Sequence, residues 1–527
     1  MVSAYTDRKP RYNPWLIALT VTLATFMEVL DTSIANVALP HIAGGLAAGQ
    51  DESTWVLTSY LVSNAVVLPA SAWLATLMGR KRFYMLCVAL FTASSILCGL
   101  APTLPLLIFF RILQGAGGGG MGPSEQAILA DTFPQEKRGM AFAVYGMAVV
   151  IAPAIGPTLG GWITDNFDWR WIFFINVPIG ILSLLLTYRI VEDPPHLKTR
   201  NGGFRVDYVG LGLLAVGVGF LQVVLDKGQQ EDWFGSPFIV TFFLIAIVCL
   251  ITLAAWEWKH SQPILELRLL KNRNFAASLG FNFVLGAVLY GTTILIPQFL
   301  QIVMGYSAER SGWALSPAGF VMMLTMPIAG LLVVKLDARW IISIGFAATA
   351  AALYHMTNLS LQVDFRTIVM WRIFQVMGLS FIFIPISVLA YVGIPMTKNN
   401  QISGMSNFAR MLGGSIGISL LTTFLARQAQ THQNNLVAHT TIYDANFRRM
   451  VLGASQAMAR RGSGPVLATK QSFTQIMGLI QVHSATLAFV NTFWVVAIIV
   501  ACLIPLPFLL KRPPAGSSGV VSGPHGG

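Results

Sequence analysis

Long apolar runs alternate with short polar ones along nearly the whole 527-residue chain. A helix that crosses a bilayer needs about 20 mainly apolar residues. Fourteen runs reach that length, near 15–40, 54–78, 83–101, 105–128, 139–164, 169–190, 206–225, 237–257, 275–300, 312–334, 340–358, 366–394, 402–425 and 484–510. Strands of a membrane barrel are shorter, about 10 residues, and alternate apolar with polar positions; nothing here alternates in that way. The pattern predicts an all-α membrane protein with fourteen spans and both termini on one side. The first run is too long for a signal-peptide core and lacks a small-residue cleavage site, so it reads as a retained span.

The runs repeat. Arg111-Ile112-Leu113-Gln114-Gly115-Ala116-Gly117 matches Arg372-Ile373-Phe374-Gln375-Val376-Met377-Gly378 at an offset of 261 (372 − 111). At the same offset, Ala152-Pro153-Ala154-Ile155-Gly156 matches Gly413-Gly414-Ser415-Ile416-Gly417. Span four therefore corresponds to span twelve, and span five to span thirteen. A plain six-span repeat would pair four with ten, so two extra spans sit between the halves. Spans seven and eight fit, having almost no ionisable interior residues and polar linkers on both sides. Two parallel six-helix bundles around a central cavity are a transporter architecture, the major facilitator fold. The boundaries predicted are 1–195 for the first bundle, 196–272 for linkers and inserted helices, 273–512 for the second bundle, and 513–527 for a flexible Gly-rich tail.

Composition narrows the class. The chain is 55% hydrophobic and 11% charged, where soluble domains carry roughly a quarter charged residues. The formal net charge of +12 would suggest nucleic acid in a soluble protein, but its distribution points elsewhere. With the termini placed in the cytoplasm, most of the Lys and Arg fall in cytoplasmic segments. Only Arg170, Lys227, Arg310 and Arg366 lie in the short loops opposite, which is the bias that orients membrane proteins. No nucleic-acid partner is expected; the partner is the lipid bilayer. Cys87, Cys98, Cys249 and Cys502 each lie in an apolar run and read as small core residues. The polar stretch 426–483 falls outside; it contains helix-compatible amphipathic segments at 445–461 and 466–482. It is either a solvated loop or a docking surface.

Few charges lie within spans, where each costs roughly 2.5–3.5 kcal/mol at the centre. Glu28 and Asp31 are three residues apart in span one, so they share a helix face. Paired, buried acids resist double ionisation, and one then exchanges protons near neutral pH. Asp31 lies about 13 Å and Arg111 about 9 Å inside the outer ends of their spans, at ~1.5 Å per residue. They can meet, as a switch for proton uptake or as a static pair. Arg410 either faces the cavity or snorkels to the cytoplasmic edge. Glu125 reads as interfacial. His355 and His483 have no ligand partners at useful spacing, so no metal is expected. Gly115 to Gly120 formally fits a dinucleotide pattern but follows no strand; close helix packing is its simpler use. No ATP-binding motif is present, which leaves an ion gradient as the energy source. Gly156-Pro157 and Gly160-Gly161 give span five a kink and a smooth face, suited to a hinge.

These residues resemble the fourteen-span drug:proton antiporters of the major facilitator superfamily, most closely the EmrB branch of the EmrB/QacA group. The resemblance rests on Leu30-Asp31-Thr32-Ser33-Ile34-Ala35-Asn36-Val37-Ala38-Leu39-Pro40 and on Arg111-x-x-Gln114-Gly115. It also rests on Gly156-Pro157-x-x-Gly160-Gly161, on Trp171 to Pro178, and on Ile296-Pro297-Gln298-Phe299-Leu300-Gln301. In the loop between spans two and three, Gly79, Arg80 and Lys81 keep the family's gating pattern, but Thr76 stands where the family has Asp. The resemblance implies a proton-driven exporter of amphipathic, aromatic or cationic drugs in the cell inner membrane, with protons as coupling ion and no cofactor. Asp31, Arg111 and Gln114 would serve proton coupling; Glu28 joins them on spacing alone. Asn36, Tyr60, Asn64, Tyr290, Gln298, Asn407 and Arg410 would line the substrate cavity. A periplasmic membrane-fusion adaptor and an outer-membrane channel would be partners, with 426–483 as a candidate contact. The competing expectation is a dedicated metabolite or siderophore exporter of the same fold. An enzyme would need a nucleophile–base or metal constellation at one depth, and the spans offer none.

Overall fold

The computed structural model describes residues 12–192, 207–260, 263–438, 440–441, 443–462 and 464–510. The Gly-rich tail, and all but the first two residues of the linker before span seven, lie outside them. Among the described residues, fourteen helices are long and apolar enough to cross a membrane. They are α1 (Pro14–Gly45), α2 (Trp55–Met78), α3 (Arg80–Leu100), α4 (Leu104–Thr132), α5 (Gln135–Asn166), α6 (Asn176–Ile190), α7 (Tyr208–Lys227), α8 (Pro237–Lys259), α9 (Arg273–Gln298), α10 (Ser316–Lys335), α11 (Ala338–His355), α12 (Phe365–Leu389), α13 (Asn399–Val437) and, after the short α14 (Ala445–Arg460), α15 (Pro465–Cys502). Side chains at the ends set several starts. Asn13, Asp207, Asn272, Asp337 and Asp444 each accept a hydrogen bond from the first turn of the following helix, satisfying donors that helix geometry leaves free. Gly79 alone joins α2 to α3. Its φ of 86° is a left-handed conformation that a side chain would oppose.

The packing follows the repeat. In the first bundle α1 lies on α5, α2 on α4 and α3 on α4; in the second α9 lies on α13, α10 on α12 and α11 on α12. The bundles meet through α5 with α10 and α2 with α13, each the other's image under the repeat, and likewise through α4 with α13 and α5 with α12. The inserted α7 and α8 pack on each other, and α7 rests on α2. Its C-terminal end is anchored, for Thr58 donates to Asp226 and Lys227 donates to Thr54. Lys227 thus ends a helix and is buried, rather than lying in an outer loop.

The polar stretch 426–483 is mostly helix. Polar composition hid two extensions: α13 continues to Val437, and α15 begins at Pro465, well before the expected 484. At ~1.5 Å per residue, α13 is about 58 Å long and α15 about 57 Å, against a hydrocarbon core of about 30 Å. α14 packs on α15 beyond the expected membrane edge, with Phe447 and Phe473 ring centroids 6.1 Å apart. Cys87 and Cys98 are buried, whereas Cys502 is exposed on the outer face of α15, so the core reading fails for that residue.

The interface between the bundles is tightly closed on the side of the α2–α3 turn. A Cβ built on Gly330 would lie 2.9 Å from the Gly139 carbonyl, and one on Gly404 would lie 3.1 Å from Ala72 Cβ. Gly330→Val should therefore hold the bundles apart and cut transport at least tenfold while the chain still inserts. Substrate accumulation in cells, normalised to membrane abundance, reads this directly; transport within twofold of wild type would show the contact to be dispensable.

Candidate functional site

α1, α4 and α6 bring one carboxylate, one guanidinium and two amides together. Arg111 Nη1 donates to Asp31 Oδ2 at 2.6 Å and to Gln114 Oε1 at 2.7 Å, while Arg111 Nε donates to the Val56 carbonyl at 3.1 Å. Gln114 Nε2 donates to Asp31 Oδ1 at 3.0 Å, and Asn176 Nδ2 reaches the same oxygen at 2.7 Å. Ser95 Oγ accepts from both amides, at 3.2 and 3.0 Å. The Tyr60 ring covers the guanidinium at 4.3 Å from its centroid, and Arg111 is 0% exposed. Neither snorkelling nor an isolated charge describes it. The carboxylate accepts from three donors, so any change at it disturbs Arg111 and both amides.

Approach to this site depends on the glycines of α4. A Cβ on Gly115 would lie 2.3 Å from the Tyr60 carbonyl, one on Gly117 2.7 Å from Phe91 N, and one on Gly119 2.5 Å from the Asn64 carbonyl. Side chains there would push α2 and α3 away. Gly156 and Gly160 do the same for α5, for their Cβ positions fall 2.3 Å from Ser33 Oγ and 3.1 Å from Ile34 Cγ2. Pro157 lies against Gly312, whereas Gly161 faces open space. The expected hinge surface is thus two glycines wide and faces α1.

Several expectations need correction. Glu28 does not join Asp31 and Arg111; it accepts from Asn64 Nδ2 at 2.9 Å, one turn inward, beside Gly118. Glu125 is not interfacial but fully buried, accepting from Thr25 Oγ1, because α4 runs almost two turns past it. Asn36 is exposed. Gln298 is half-buried where α9 passes into a π-helical turn, Phe299–Val303. Asp31 itself is 2% exposed and enclosed by its own bundle, so a bound drug would act on it indirectly. Asn407 and Arg410 do face inward. Asn407 donates to Gln126 at 2.8 Å and accepts from Tyr145 Oη at 3.1 Å and from Arg410, which also donates to Tyr145. The Arg410 guanidinium lies 5.0 Å from the Phe383 centroid. Tyr290 lines a cavity between the bundles.

At the turn between α2 and α3, Thr76 spends its hydroxyl on the Ala72 carbonyl of its own helix, at 2.8 Å. Arg80 is buried and pairs instead with Asp131 at the end of α4, which also accepts from Asn399 of the second bundle. Lys81 donates to the Tyr188 carbonyl at 2.7 Å. Asp131 and Asn176 are the residues that sequence reading missed. Asn176 lay inside a quoted motif, but no spacing tied it to Asp31.

Deleting the Asn176 amide removes a buried hydrogen bond to a charged group, a loss of about 1.5–3 kcal/mol. Asn176→Ala should lower the unfolding temperature of the detergent-solubilised protein and reduce transport. Overpacking should likewise separate two neighbouring glycines: Gly156→Val is expected to cost about 1–3 kcal/mol, and Gly161→Val to leave unfolding unchanged. Equal behaviour of the two would contradict the assigned contact with α1.

The chain's relatives accord with this geometry. The Major Facilitator Superfamily profile matches residues 21–418. The chain is 39% identical over 430 residues to the multidrug export protein EmrB of Haemophilus influenzae, covering 81% of this chain and 84% of the relative. It is 35% identical over 522 residues to EmrB of Escherichia coli, covering 98% and 100%. With the fatty acid resistance protein FarB of Neisseria gonorrhoeae it shares 37% over 515 residues, covering 95% and 97%. Among solved structures, the human organic anion transporter MFSD10 superposes with a TM-score of 0.58 at 10% identity, covering 93% of this chain and 100% of the other. The proton:xylose symporter XylE superposes at 0.55 and 13%, covering 94% and 99%; at such identities the likeness is one of fold. A fourteen-span helical chain with these relatives is a transporter, not an enzyme, and it belongs to the EmrB-type drug exporters of the major facilitator superfamily.

Proposed function

We propose that this multidrug efflux transporter is a proton-driven antiporter of the cell inner membrane, with both termini in the cytoplasm. It exports amphipathic, aromatic or cationic compounds as protons enter, with the protons as coupling ion and no cofactor. It would work as the inner-membrane part of a tripartite pump. The observation that supports coupling is the enclosed Asp31 carboxylate with Arg111, Gln114 and Asn176 all donating to it or to its pair.

A proton arriving at Asp31 cancels the charge that holds Arg111. Breaking a buried pair by removing one partner costs about 3–5 kcal/mol, so protonation and a rearrangement of α1 against α4 are linked. An inward proton gains about 2.3 kcal/mol per 100 mV, comparable to that cost. Arg80, Asp131 and Asn399 tie the bundles on the cytoplasmic side, and opening there requires parting Asp131 from Asn399. The rearrangement at Asp31 reaches that latch through α4, which carries both Arg111 and Asp131. The helical extensions of α13 and α15, with α14, form the surface offered to an adaptor.

Asp31→Asn keeps the shape and removes the titration. In everted vesicles it should lose at least 95% of gradient-driven drug uptake, roughly a twentyfold fall, or about 1.8 kcal/mol at 1.36 kcal/mol per tenfold. Full gradient-dependent transport by this variant would end the coupling role. A susceptibility panel in which the protein protects against one compound alone would favour a dedicated exporter.

A further inference from the structure

The second bundle keeps the Arg–Gln scaffold of the coupling site and lacks its acid. The position 261 residues after Asp31 is Thr292, just as Arg372 follows Arg111 and Gln375 follows Gln114. The contacts repeat as well. Arg372 Nη1 donates to Thr292 Oγ1 and to Gln375 Oε1, each at 2.8 Å, and Gln375 Nε2 donates to Thr292 Oγ1 at 2.9 Å. Arg372 Nη2 donates to Thr293 Oγ1 at 2.7 Å. Every acceptor is neutral. Among the described residues no carboxylate pairs with Arg372, and its buried Nε has no hydrogen-bond partner.

Arg372 is 4% exposed, so its charge has little water to answer it. A buried cation without a counter-ion is strongly unfavourable. Arg111 avoids this with Asp31. Arg372 instead borders a cavity between the bundles. Thr293 and Tyr290 add polar groups to its wall, and Val149, Val150 and Pro153 of α5 make the opposite side apolar. One planar cation at the edge of an apolar chamber matches a molecule with an anionic head and a hydrophobic body. Guanidinium binds carboxylate in a forked geometry.

We propose that Arg372 is an anion-binding subsite, holding the carboxylate of an amphipathic organic acid while its apolar part packs on α5. The subsite deepens the export reading by assigning one residue to the head group of acidic cargo, and it rests on that reading. Thr292 is what leaves the charge available; an acid there would rebuild the closed pair of the first bundle.

The test measures binding to the purified full chain in nanodiscs, with no gradient present. Laurate and dodecyltrimethylammonium serve as probes of equal length and opposite charge. Wild-type protein should bind laurate. Arg372→Gln and Thr292→Asp should each weaken laurate at least tenfold and leave dodecyltrimethylammonium within threefold, whereas Arg372→Lys should retain part of the laurate affinity. Thr292→Asp leaves the arginine in place and supplies it with a partner, so it tests the idea even where Arg372→Gln fails to fold. Absence of laurate binding by wild type, unchanged laurate binding in folded Thr292→Asp, or equal loss of both probes would overturn the proposal. So would loss of laurate binding when phosphatidylglycerol is added to the nanodiscs, which would assign the subsite to lipid. Because binding is read without a gradient, failure of proton coupling would leave these results standing.

Discussion

A guanidinium enclosed in a bilayer-spanning bundle has to be answered by a negative charge or by oriented dipoles. Arg111 is 0% exposed, and much of the first bundle is arranged around that requirement. Asp31 from α1, Gln114 one turn along α4, Asn176 at the start of α6 and the Val56 carbonyl of α2 all converge on one pair. This convergence sets the relative height of four helices, since a register shift of one residue would strand a polar group in hydrocarbon. The run of glycines in α4 follows from the same need. Only a helix without side chains on those faces lets α2 and α3 come near enough to deliver their ligands.

The two bundles show what happens when this requirement is met differently on one scaffold. Arginine and glutamine occupy matching positions in both, and both hold the same mutual hydrogen bond. The first bundle answers its cation internally and seals it beneath an aromatic ring; the second answers with hydroxyls and borders a chamber. One scaffold thus carries two different answers to the same buried cation. Their contacts remain symmetric, with α5 on α10 mirroring α2 on α13, so either bundle can tilt against the other about equivalent surfaces.

The legible part of this molecule is what hydropathy and spacing encode. Fourteen spans, the inserted pair, the repeat and the meeting of Asp31 with Arg111 all leave periodic or depth-dependent traces in the chain. What did not show are partners drawn from other helices. Asn176 and Asp131 are fixed by tertiary packing, and no local pattern marks a hydrogen bond spanning 145 residues. Glu28 sat on the right face but one turn too far inward, where Asn64 meets it. Glu125 looked interfacial because hydropathy places the membrane edge near it, yet α4 continues to Thr132 and carries that residue inside. The extensions of α13 and α15 were hidden for the opposite reason. Their polar residues are exposed to solvent rather than lipid, so composition signalled a loop where the backbone remains helical.

One rod joins the two ends of this machine. α13 begins at Asn399, which bonds Asp131, passes Asn407 and Arg410 at the core of the interface, and ends at Val437, at the opposite end of the bundle. No proline interrupts its 39 residues, and its one glycine-rich stretch, Gly413-Gly414-Ser415, is where it can bend. Each degree of tilt about its inner end moves the outer tip about 1 Å, for a length of about 58 Å at 1.5 Å per residue. A small displacement at the Asn399 contact is thereby magnified at the far end. Whatever rests on that tip senses which way the transporter faces through leverage alone, with no separate messenger crossing the membrane.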